Sequence, residues 1–583
     1  MSDIVYRVEA AEPGAHRYAV TLTIARPQAG QVVSLPVWIA GSYLVREFAR
    51  HLHGLQARQG RRAVVVQQLD KCSWRIDCRA DVPLVLTHEV YAFDNSVRAA
   101  WLSPERGFFN GTSACLRVHG QEHRPHTLDV PPVSGHTDWR LATGLAPIKT
   151  DKRGFGRYQA TDYDELVDCP VDMGPFWSGE FKACGIPHQL VVSGAPPSFD
   201  SARLLADTQA ICETEIRFWH GAGATAGKKA PHRRYVFMLN LVDDGYGGLE
   251  HRNSTALICG RRDLPRVGEA KASDGYTTLL GLISHEYFHT WNVKRLRPAE
   301  FARYDHSQEN YTELLWFFEG FTSYYDDLLL LRAGLIDEAK YLDLLVKTIN
   351  GVAQTPGRQL QSVAQASFDA WVKYYRQDEN TPNATVNYYA KGSLVALCLD
   401  LSLRLEGSDL DAVMRGLWQR CQGGPMREQD LLDELQARTG RSWATEIATW
   451  VHGTAELPLA KLLKAHGVAV NAEPGTLAQR LGVRVTDGGG VRIKTVLRHS
   501  VAEHAGLSAG DEWLGVQTTG RAPQGWRIRK LDDITALLGK PKAFTALVAR
   551  DQRLLQLPVK LGAPVSVWTL KAEPDRHSRW PMG

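Results

Sequence analysis

The first 175 residues carry short runs of apolar positions set among polar ones, a pattern typical of strands with one buried face. The runs "YAVTLTIA", "RAVVVQQL" and "PLVLTHEVYAF" are each predicted to form a strand, because β-branched and aromatic residues are frequent in them. Gly, Pro, Asn and Asp separate the runs, and helical spacing is scarce. This part of the chain is therefore predicted to be an antiparallel β domain.

The pattern changes beyond "PPSFD", where apolar residues begin to recur with helical spacing. "ARLLADTQAICETEIRFWH" is predicted to be an amphipathic helix, "RRYVFMLNLV" and "STALICG" are predicted strands, and helices dominate from about residue 275 to 465. After the polar break "NAEPGT", short strands surround one helix, "LDDITALLG". The fold class is therefore predicted to be multidomain α+β, with three domains and a C-terminal tail at 1–175, 176–465, 466–565 and 566–583.

Composition narrows the function classes. The length of 583 residues agrees with several domains, and 68 Lys and Arg against 64 Asp and Glu leave a formal charge of only +4, which argues against a nucleic-acid partner. The N-terminus lacks a basic segment followed by an apolar one, and no run reaches the ~18 apolar residues of a membrane span, so a cytoplasmic protein without a membrane partner is expected. The nine cysteines are scattered and never spaced C-x-x-C, which argues against a disulfide framework and a thiolate zinc site.

The segment "LLGLISHEYFHTWNVKRLRP" places His285, Glu286 and His289 in the order H-E-x-x-H within a predicted helix. Residues four apart lie on one face of a helix, so both imidazoles can reach one metal ion while Glu286 lies beside them to accept a proton. By itself the motif is weak, and two ordinary helix histidines are the alternative. The extended motif H-E-x-x-H-x-x-G-x-x-H is excluded, because Asn292 and Arg295 occupy its last two fixed positions.

A catalytic zinc site needs a third protein ligand, which a later helix offers. "YTELLWFFEGFTSYYDDLLLLRAG" is predicted to be helical as far as Gly334, and it contains the acids Glu313, Glu319 and Asp326. Glu319 is the favoured ligand, because its neighbours are aromatic and apolar and an unpaired carboxylate would be costly to bury there. The alternative is an exposed helix residue that binds nothing.

The motif H-E-x-x-H-x-W and the downstream E-G-F resemble those of the gluzincin metallopeptidases, whose zinc ligands are two histidines and a glutamate. "YGGLEH", residues 246–251, resembles the G-x-M-E-N exopeptidase motif, although Leu249 and His251 replace Met and Asn. "YYAKG", residues 388–392, resembles the Y-x-K-G motif. The resemblance implies that Glu250 binds the substrate α-amine and that Tyr389 stabilises the tetrahedral intermediate.

Almost the whole chain resembles the glycyl aminopeptidase family of gluzincins, which has an N-terminal β domain and a C-terminal PDZ domain. "PVWIAGSYLVREFARHL" and "YAFDNSVRAAWL" resemble its N-terminal domain, and "AGLSAGDEWLGV" resembles the PDZ signature. The resemblance implies a thermolysin-like, mostly helical zinc peptidase domain that removes an N-terminal Gly, or less readily Ala, from peptides with a free N-terminus. The implied site residues are His285, His289 and Glu319 as ligands of one Zn²⁺, Glu286 as base, Tyr389 as oxyanion donor, and Glu250, Gly247 and Gly248 at the substrate.

Three interpretations stay open. The basic residues Lys294, Arg295 and Arg297 either attract a substrate carboxylate or, as we favour, complement the dipole at a helix end. "LGV", residues 481–483, either captures a chain terminus in a PDZ groove, or the PDZ domain packs against the catalytic domain without a peptide ligand. The alternatives to an aminopeptidase are an endopeptidase of the same fold and a non-catalytic PDZ adaptor or chaperone. Glu250 distinguishes the endopeptidase, since that enzyme has no α-amine to bind.

Overall fold

The computed structural model describes residues 3–223, 226–574 and 580–581. The chain divides into two compact units. The first comprises Met1–Tyr311, Tyr325–Ile336 and Asp411–Leu431, and the second comprises Thr312–Tyr324, Asp337–Leu410 and Leu432–Gly583. The chain is a multidomain mixed α/β protein with a β-rich N-terminal region. Among the described residues, no helix has the length and apolar character needed to cross a membrane.

The N-terminal region of the first unit consists of strands and two short helices, as its apolar pattern predicts. The strands are β1 Ile4–Glu12, β2 Arg17–Ile24, β3 Val32–Ser34, β4 Leu52–Gln59, β5 Arg62–Val64, β6 Val66–Gln68, β7 Ser73–Ile76, β8 Leu84–Tyr91, β9 Ala100–Leu102, β10 Gly107–Phe109, β11 Arg117–Val118, β12 His126–Val130, β13 Arg140–Thr143, β14 Ala146–Thr150, β15 Gly156–Ala160 and β16 Val171–Gly174. The helices are α1 Gly111–Ala114 and α2 Tyr163–Val167. The largest sheet has the order β14-β15-β12-β1-β2-β8-β4-β5, and alternate residues such as Val20 and Leu22 form its core.

One predicted strand is divided in the structure. "RAVVVQQL" forms β5 and β6, which belong to two different sheets, and Val65 between them is 67% exposed. Consecutive valines favour extended backbone, but they do not indicate where the chain leaves one sheet and enters the next.

The next part of the first unit combines a five-stranded sheet with two long helices. The strands are β17 Trp177–Ala183, β18 Ile186–Ser193, β19 Tyr235–Val242, β20 Tyr246–Glu250 and β21 Ser254–Gly260, and the helices are α3 Ser201–His220, α4 Ala226–Lys229 and α5 Asp274–Phe288. The sheet order is β17-β18-β19-β21-β20, so β20 lies at an edge, antiparallel to β21. The predicted helix and two strands are confirmed as α3, β19 and β21. "YGGLEH", expected between two strands, itself supplies β20.

Helices dominate from residue 315 to 465, as the spacing of apolar residues predicts. They are α6 Leu315–Arg332, α7 Glu338–Ala353, α8 Val363–Phe368, α9 Thr381–Ala384, α10 Tyr388–Leu405, α11 Leu410–Arg420, α12 Glu428–Thr439, α13 Ala444–Trp450 and α14 Leu459–Ala465. Two very short strands, β22 Arg297–Pro298 and β23 Pro425–Met426, pair in parallel. Gly334 follows α6 with a φ of +74°, a conformation that favours glycine after a helix end.

The C-terminal part of the second unit contains the strands and the helix predicted there. The strands are β24 Val468–Pro474, β25 Val483–Thr486, β26 Val491–Val496, β27 Glu512–Gln517, β28 Gly525–Arg527, β29 Ala543–Arg550, β30 Arg553–Lys560 and β31 Ser566–Ala572, and the helices are α15 Leu477–Leu481, α16 Val501–His504 and α17 Asp533–Leu538. Five strands follow the order β25-β26-β27-β29-β30, and β28 pairs with β27. Strand β24 pairs with β31, so the segment expected to be a tail begins as a strand.

Candidate metal centre and active site

Helix α5 carries the H-E-x-x-H motif at its C-terminal end. Ser273 caps its N-terminus, where the serine hydroxyl accepts a hydrogen bond from the Tyr276 amide at 3.0 Å. The helix ends at Phe288, and His289 follows it with a helical backbone conformation. His285 and His289 are therefore one turn apart on one face, as their spacing predicts.

Each histidine ring is oriented by an acceptor at Nδ1. Asp326 Oδ2 lies 3.0 Å from His285 Nδ1, and the Asn292 carbonyl oxygen lies 2.7 Å from His289 Nδ1. These contacts favour the tautomer with the proton on Nδ1, which leaves the Nε2 lone pair to bind a metal. The sequence offers Asp326 as one candidate for the third ligand, but the structure places it where it orients a ligand.

The third donor is Glu319 on α6. Ligand atoms of His285, His289 and Glu319 all lie within 4.8 Å of one another. Glu319 is 2% exposed, so it is not an exposed helix residue, whereas Glu313 is exposed. Two imidazoles and one carboxylate form a donor set typical of catalytic zinc, and the acceptors at both Nδ1 atoms hold the rings as such a site requires. The residues present therefore fit a zinc ion.

Glu286 lies against the edge strand β20. Its side chain is 5% exposed, and a methyl group at Gly248 would overlap its carboxylate. A methyl group at Gly247 would instead meet Ile258 Cγ2 at 3.7 Å, which is an ordinary contact. A side chain at Gly248 would therefore displace the Glu286 carboxylate, whereas one at Gly247 would not, and the backbone of β20 limits the positions open to that carboxylate.

Glu250 is the last residue of β20, and it is buried rather than exposed at the end of a loop. Gly41, in a turn of the N-terminal region, covers its carboxylate. Gly41 has a φ of +90°, and a methyl group there would overlap both carboxylate oxygens. Among the residues that the structure describes, none donates a hydrogen bond to this carboxylate or forms an ion pair with it. Because a buried carboxylate without a partner is costly, a cationic ligand group would stabilise it.

Asp168, by contrast, is surrounded by paired charges. Its carboxylate lies 2.6 Å from Lys294 Nζ and 3.3 Å from His251 Nδ1, and it accepts a hydrogen bond from the Arg252 amide at 3.0 Å. Burial would raise the pKa of Asp168, but Lys294, His251 and Arg252 hold it well below its usual range. The expectation that Lys294 complements the dipole of α5 is wrong, because its ammonium is buried in this ion pair.

Arg295 and Arg297 bind backbone carbonyls near the same segment. Arg295 donates hydrogen bonds to the carbonyls of Thr290 at 3.1 Å and Pro231 at 3.2 Å. Arg297 donates to the Lys294 carbonyl at 2.6 Å. These contacts fix the chain that follows α5, so both arginines have a structural part within the fold.

Helices α6 and α10 approach closely at two motif glycines. A methyl group at Gly320 would lie 2.6 Å from Gly392 Cα, and one at Gly392 would lie 2.5 Å from the Trp316 carbonyl oxygen. Gly320 follows Glu319, and Gly392 closes the Y-x-K-G motif, so the crossing brings the two motifs together. Removal from water raises the pKa of the Tyr389 phenol well above its usual value, and the Glu319 charge raises it further. The phenol is therefore a neutral hydrogen-bond donor.

The N-terminus of α10 positions Tyr389. Asn387 Oδ1 accepts hydrogen bonds from the amides of Tyr389 at 2.8 Å and Ala390 at 3.2 Å, which caps the helix. The Tyr375 hydroxyl lies 3.4 Å from the Tyr389 hydroxyl. Tyr388 is fully buried and is the core residue of the pair, whereas Tyr389 is half-buried.

Sequence reasoning missed Gly41, Arg98 and Tyr375. Gly41 covers Glu250, and Arg98 Nη2 lies 3.4 Å from the Gly248 carbonyl oxygen. Gly41 lies in "PVWIAGSYLVREFARHL" and Arg98 in "YAFDNSVRAAWL", but the resemblance of these segments to a known domain gives neither residue a part in the site. Neither a glycine in a turn nor an arginine beside a strand carries a local signal, because the residues they contact lie far away in the chain.

Comparisons with known proteins show which family the chain resembles. Residues 278–395 match the family model described as M61 glycyl aminopeptidase, and residues 5–175 match that of the peptidase M61 N-terminal domain. An aminopeptidase N family protein from Idiomarina loihiensis is similar in structure, with 36% identity, a TM-score of 0.92 and coverage of 98% of each chain. An M1 zinc metallopeptidase from Deinococcus radiodurans has 15% identity and a TM-score of 0.48, over 78% of this chain and 94% of that one. A comparison with curated proteins finds no match.

Proposed function

The chain belongs to the M61 peptidase family, and from this premise we propose that it is a zinc-dependent aminopeptidase that removes an N-terminal Gly, or less readily Ala, from peptides. The observation that carries the proposal is the cluster of His285, His289 and Glu319. Glu286 adds a buried carboxylate between the two histidines of the motif. Metal ligands and an adjacent base are the minimum that metal-assisted hydrolysis requires.

The proposed role of each residue follows from its chemistry. Zinc bound by the three ligands would supply a Lewis acid for the scissile carbonyl and would acidify water. Glu286 would accept the proton of the attacking water and pass it to the leaving amine. Tyr389, a neutral phenol, would donate a hydrogen bond to the developing oxyanion. Glu250 would pair with the α-ammonium of the substrate, and the backbone of Gly247 and Gly248 would lie along it.

Glu250 supports an exopeptidase in preference to an endopeptidase. Its carboxylate is buried, and no described residue forms a hydrogen bond or a direct ion pair with it; Lys294 acts on it only at longer range. The α-ammonium of a peptide N-terminus would supply the missing cation. An endopeptidase presents an uncharged peptide bond at that place and would leave the carboxylate unpaired.

We further propose that residues 466–565 form a PDZ domain in a cytoplasmic protein whose other domains span 1–175 and 176–465. Gly482 ends α15 with a φ of +72°, and the chain then enters the edge strand β25, an arrangement in which backbone amides can capture a peptide terminus. Asn383 on α9 exchanges hydrogen bonds with the Val496 carbonyl at 2.9 Å and the Arg498 amide at 2.8 Å. These contacts support packing against the helical region, and peptide capture at β25 is compatible with them.

A panel of aminoacyl reporter substrates, each with and without an N-terminal acetyl group, tests the proposed activity on the zinc-loaded protein. Release is expected to be fastest from the free Gly substrate, slower from the Ala substrate, and absent from the acetylated forms. Chelation should abolish release and added zinc should restore it, because zinc supplies the Lewis acid. Elemental analysis measures the zinc content of the same samples.

Two results would contradict the proposal. Equal cleavage of the acetylated and free Gly substrates would favour the endopeptidase. A protein that binds no zinc and hydrolyses none of the substrates would favour the non-catalytic adaptor or chaperone.

A further inference from the structure

A cavity of about 280 Å³ lies within the second unit, where α7, α10 and β31 meet. This volume is just below the roughly 300 to 1,000 Å³ of drug-sized ligand sites, so only a small ligand would fit. The lining includes Asn350, Arg358, Lys391, Leu394, Glu456 and Trp568. None of these residues belongs to the proposed catalytic or metal-binding set.

Lys391 is the unusual member of the lining. The residue is 3% exposed, and among the described residues its ammonium has no hydrogen-bond acceptor and no ion-pair partner in direct contact. Glu456 and Arg358 of the same lining act on it only at longer range and with opposite signs. Lysine is almost never buried to this degree without a partner, because an ammonium group loses several kcal/mol of hydration on burial. Burial accordingly lowers the pKa of Lys391. An anion in the cavity would supply the missing partner.

The other polar groups of the cavity already have partners. Arg358 binds Glu456, with Nε 3.1 Å and Nη2 3.0 Å from Glu456 Oε1. The Asn350 side chain donates to the Trp568 carbonyl at 2.9 Å and accepts from the Trp568 amide at 2.8 Å. Two cations and one carboxylate leave a net charge of +1 on the lining, and that charge belongs to Lys391. A single negative charge on the ligand would balance it.

The apolar part of the lining restricts the ligand further. Ile349, Val352, Leu394, Leu457 and Trp568 face the same cavity as the ammonium. A small inorganic anion would leave these surfaces without contacts, whereas an aliphatic group would bury apolar area against them. The cavity therefore suits one negative charge joined to a short apolar body.

We propose that this cavity binds a small organic monocarboxylate, with the carboxylate paired to Lys391 and the aliphatic part against Leu394 and Trp568. The site goes beyond the proposed peptidase function and does not rest on it. A free metabolite and the carboxyl end of a short peptide share this chemistry, and they differ in size and in the amide that a peptide adds.

Isothermal titration calorimetry on the full zinc-loaded chain tests the site. The probe is 3-methylbutanoate, and the matched control ligand is 3-methylbutanamide, which has the same shape and no charge. The carboxylate is expected to bind about 10- to 100-fold more tightly than the amide, because it forms a charge-assisted contact with an ammonium that has no other partner. N-acetylglycyl-leucine, which an aminopeptidase does not cleave, is titrated in parallel. The larger of its affinity and that of 3-methylbutanoate shows whether the cavity takes a peptide carboxyl end or a free metabolite.

The decisive variant is Lys391→Met, which keeps the length of the side chain and removes its charge. It should weaken 3-methylbutanoate binding by about 10- to 100-fold while its zinc content stays equal to that of the native protein. Lys347→Met, on the exposed face of α7, is the matched control and should leave binding unchanged. Ala353→Trp, which fills the cavity from α7 and keeps Lys391, should also abolish binding.

The proposal is wrong if the native protein binds the acid and the amide equally well, or binds neither. It is also wrong if Lys391→Met binds 3-methylbutanoate like the native protein, since the carboxylate would then be held elsewhere, for example at the zinc. If Lys391→Met does not fold, Ala353→Trp tests the proposal in its place. Retained binding of 3-methylbutanoate in that variant would place the ligand outside the cavity and contradict the proposal, whereas lost binding would support it.

Discussion

Lys294 and Lys391 are each 3% exposed, but their surroundings differ. Lys294 lies 2.6 Å from Asp168, whereas the described residues give the ammonium of Lys391 no partner. Burial alone would lower the pKa of Lys294, yet Asp168 raises it above its usual value; at Lys391 burial prevails and lowers the pKa. Removing one partner of a buried ion pair destabilises the fold, whereas a buried cation without a direct partner is available to a ligand.

The same contrast separates two buried carboxylates of the first unit. Asp168 contacts Lys294, His251 and Arg252 directly, whereas Glu250 makes no hydrogen bond or ion pair with the described residues and feels the charge of Lys294 only at longer range. We therefore assign Asp168 to the stability of the fold and Glu250 to the binding of substrate. Substitutions around Asp168 should change the stability of the fold, and substitutions around Glu250 should change the handling of substrate.

The largest effect is expected at Glu286, the proposed base. Glu286→Gln should lower kcat by about 10²- to 10⁴-fold, because the amide cannot accept the proton of water. Zinc content and unfolding temperature should stay close to native values, since Glu286 is not a proposed ligand. Steady-state kinetics and elemental analysis measure both. Loss of the metal in this variant would show that Glu286, like Asp168, has a structural role and is not the base.

Lys294→Met tests whether the fold depends on the buried ion pair between Lys294 and Asp168. Breaking this buried ion pair should lower the free energy of unfolding by roughly 3 kcal/mol or more, because Asp168 loses its nearest cation. Lys391→Met is the matched control, and it should leave the free energy of unfolding unchanged or raise it, because an unpaired ammonium leaves the interior. Urea unfolding of both variants measures the difference. Equal destabilisation by the two substitutions would show that Lys391 stabilises the fold as much as Lys294 does.

Gly248→Ala tests whether β20 positions the base. The added methyl group would overlap the Glu286 carboxylate, and a displacement of that group by about 1 Å is expected to lower kcat by about 10²-fold. Gly247→Ala adds the same methyl group with its nearest contact at 3.7 Å, so its effect on kcat should be much smaller. Steady-state kinetics on the free Gly substrate compares them. An equal loss of kcat in both variants would show that Gly248 does not position the base.

The smallest expected effect is at Glu250. Glu250→Ala should lower kcat/KM on a free Gly peptide by about 10- to 100-fold, because the α-ammonium loses one charge-assisted hydrogen bond. It should also narrow the preference for the free over the acetylated substrate, while thermal stability stays near the native value. Kinetics on the two substrates and a thermal unfolding curve measure these outcomes. An unchanged kcat/KM on the free peptide would instead favour an endopeptidase.

Local signals in the sequence predict much of the fold and the metal centre. Helical spacing predicts α3 and α5, and the aromatic neighbours of Glu319 predict its burial among ligands. Both signals lie within a few residues of the feature that they predict. The strand β20 is the exception, because its glycines are typical of loops and hide its extended backbone.

Contacts between distant residues could not be predicted in this way. Asp168 and Lys294 are 126 positions apart, and Gly41 and Glu250 belong to segments that share no sequence pattern. The basic residues after α5 are ambiguous for this reason, since only the folded chain brings Asp168 to Lys294. Lys391 stands in a recognised motif, but the sequence does not show that its ammonium faces a cavity.

The contact between Gly320 and Gly392 has a consequence for recognising relatives that have lost activity. Because neither glycine tolerates a side chain while the other helix stays in place, the two positions should be inherited together. A homologue that keeps H-E-x-x-H but carries larger residues at both positions would have shifted α6 against α10, and with it the glutamate against the tyrosine. Such a chain should be classed as a pseudoenzyme candidate even when every metal ligand is intact.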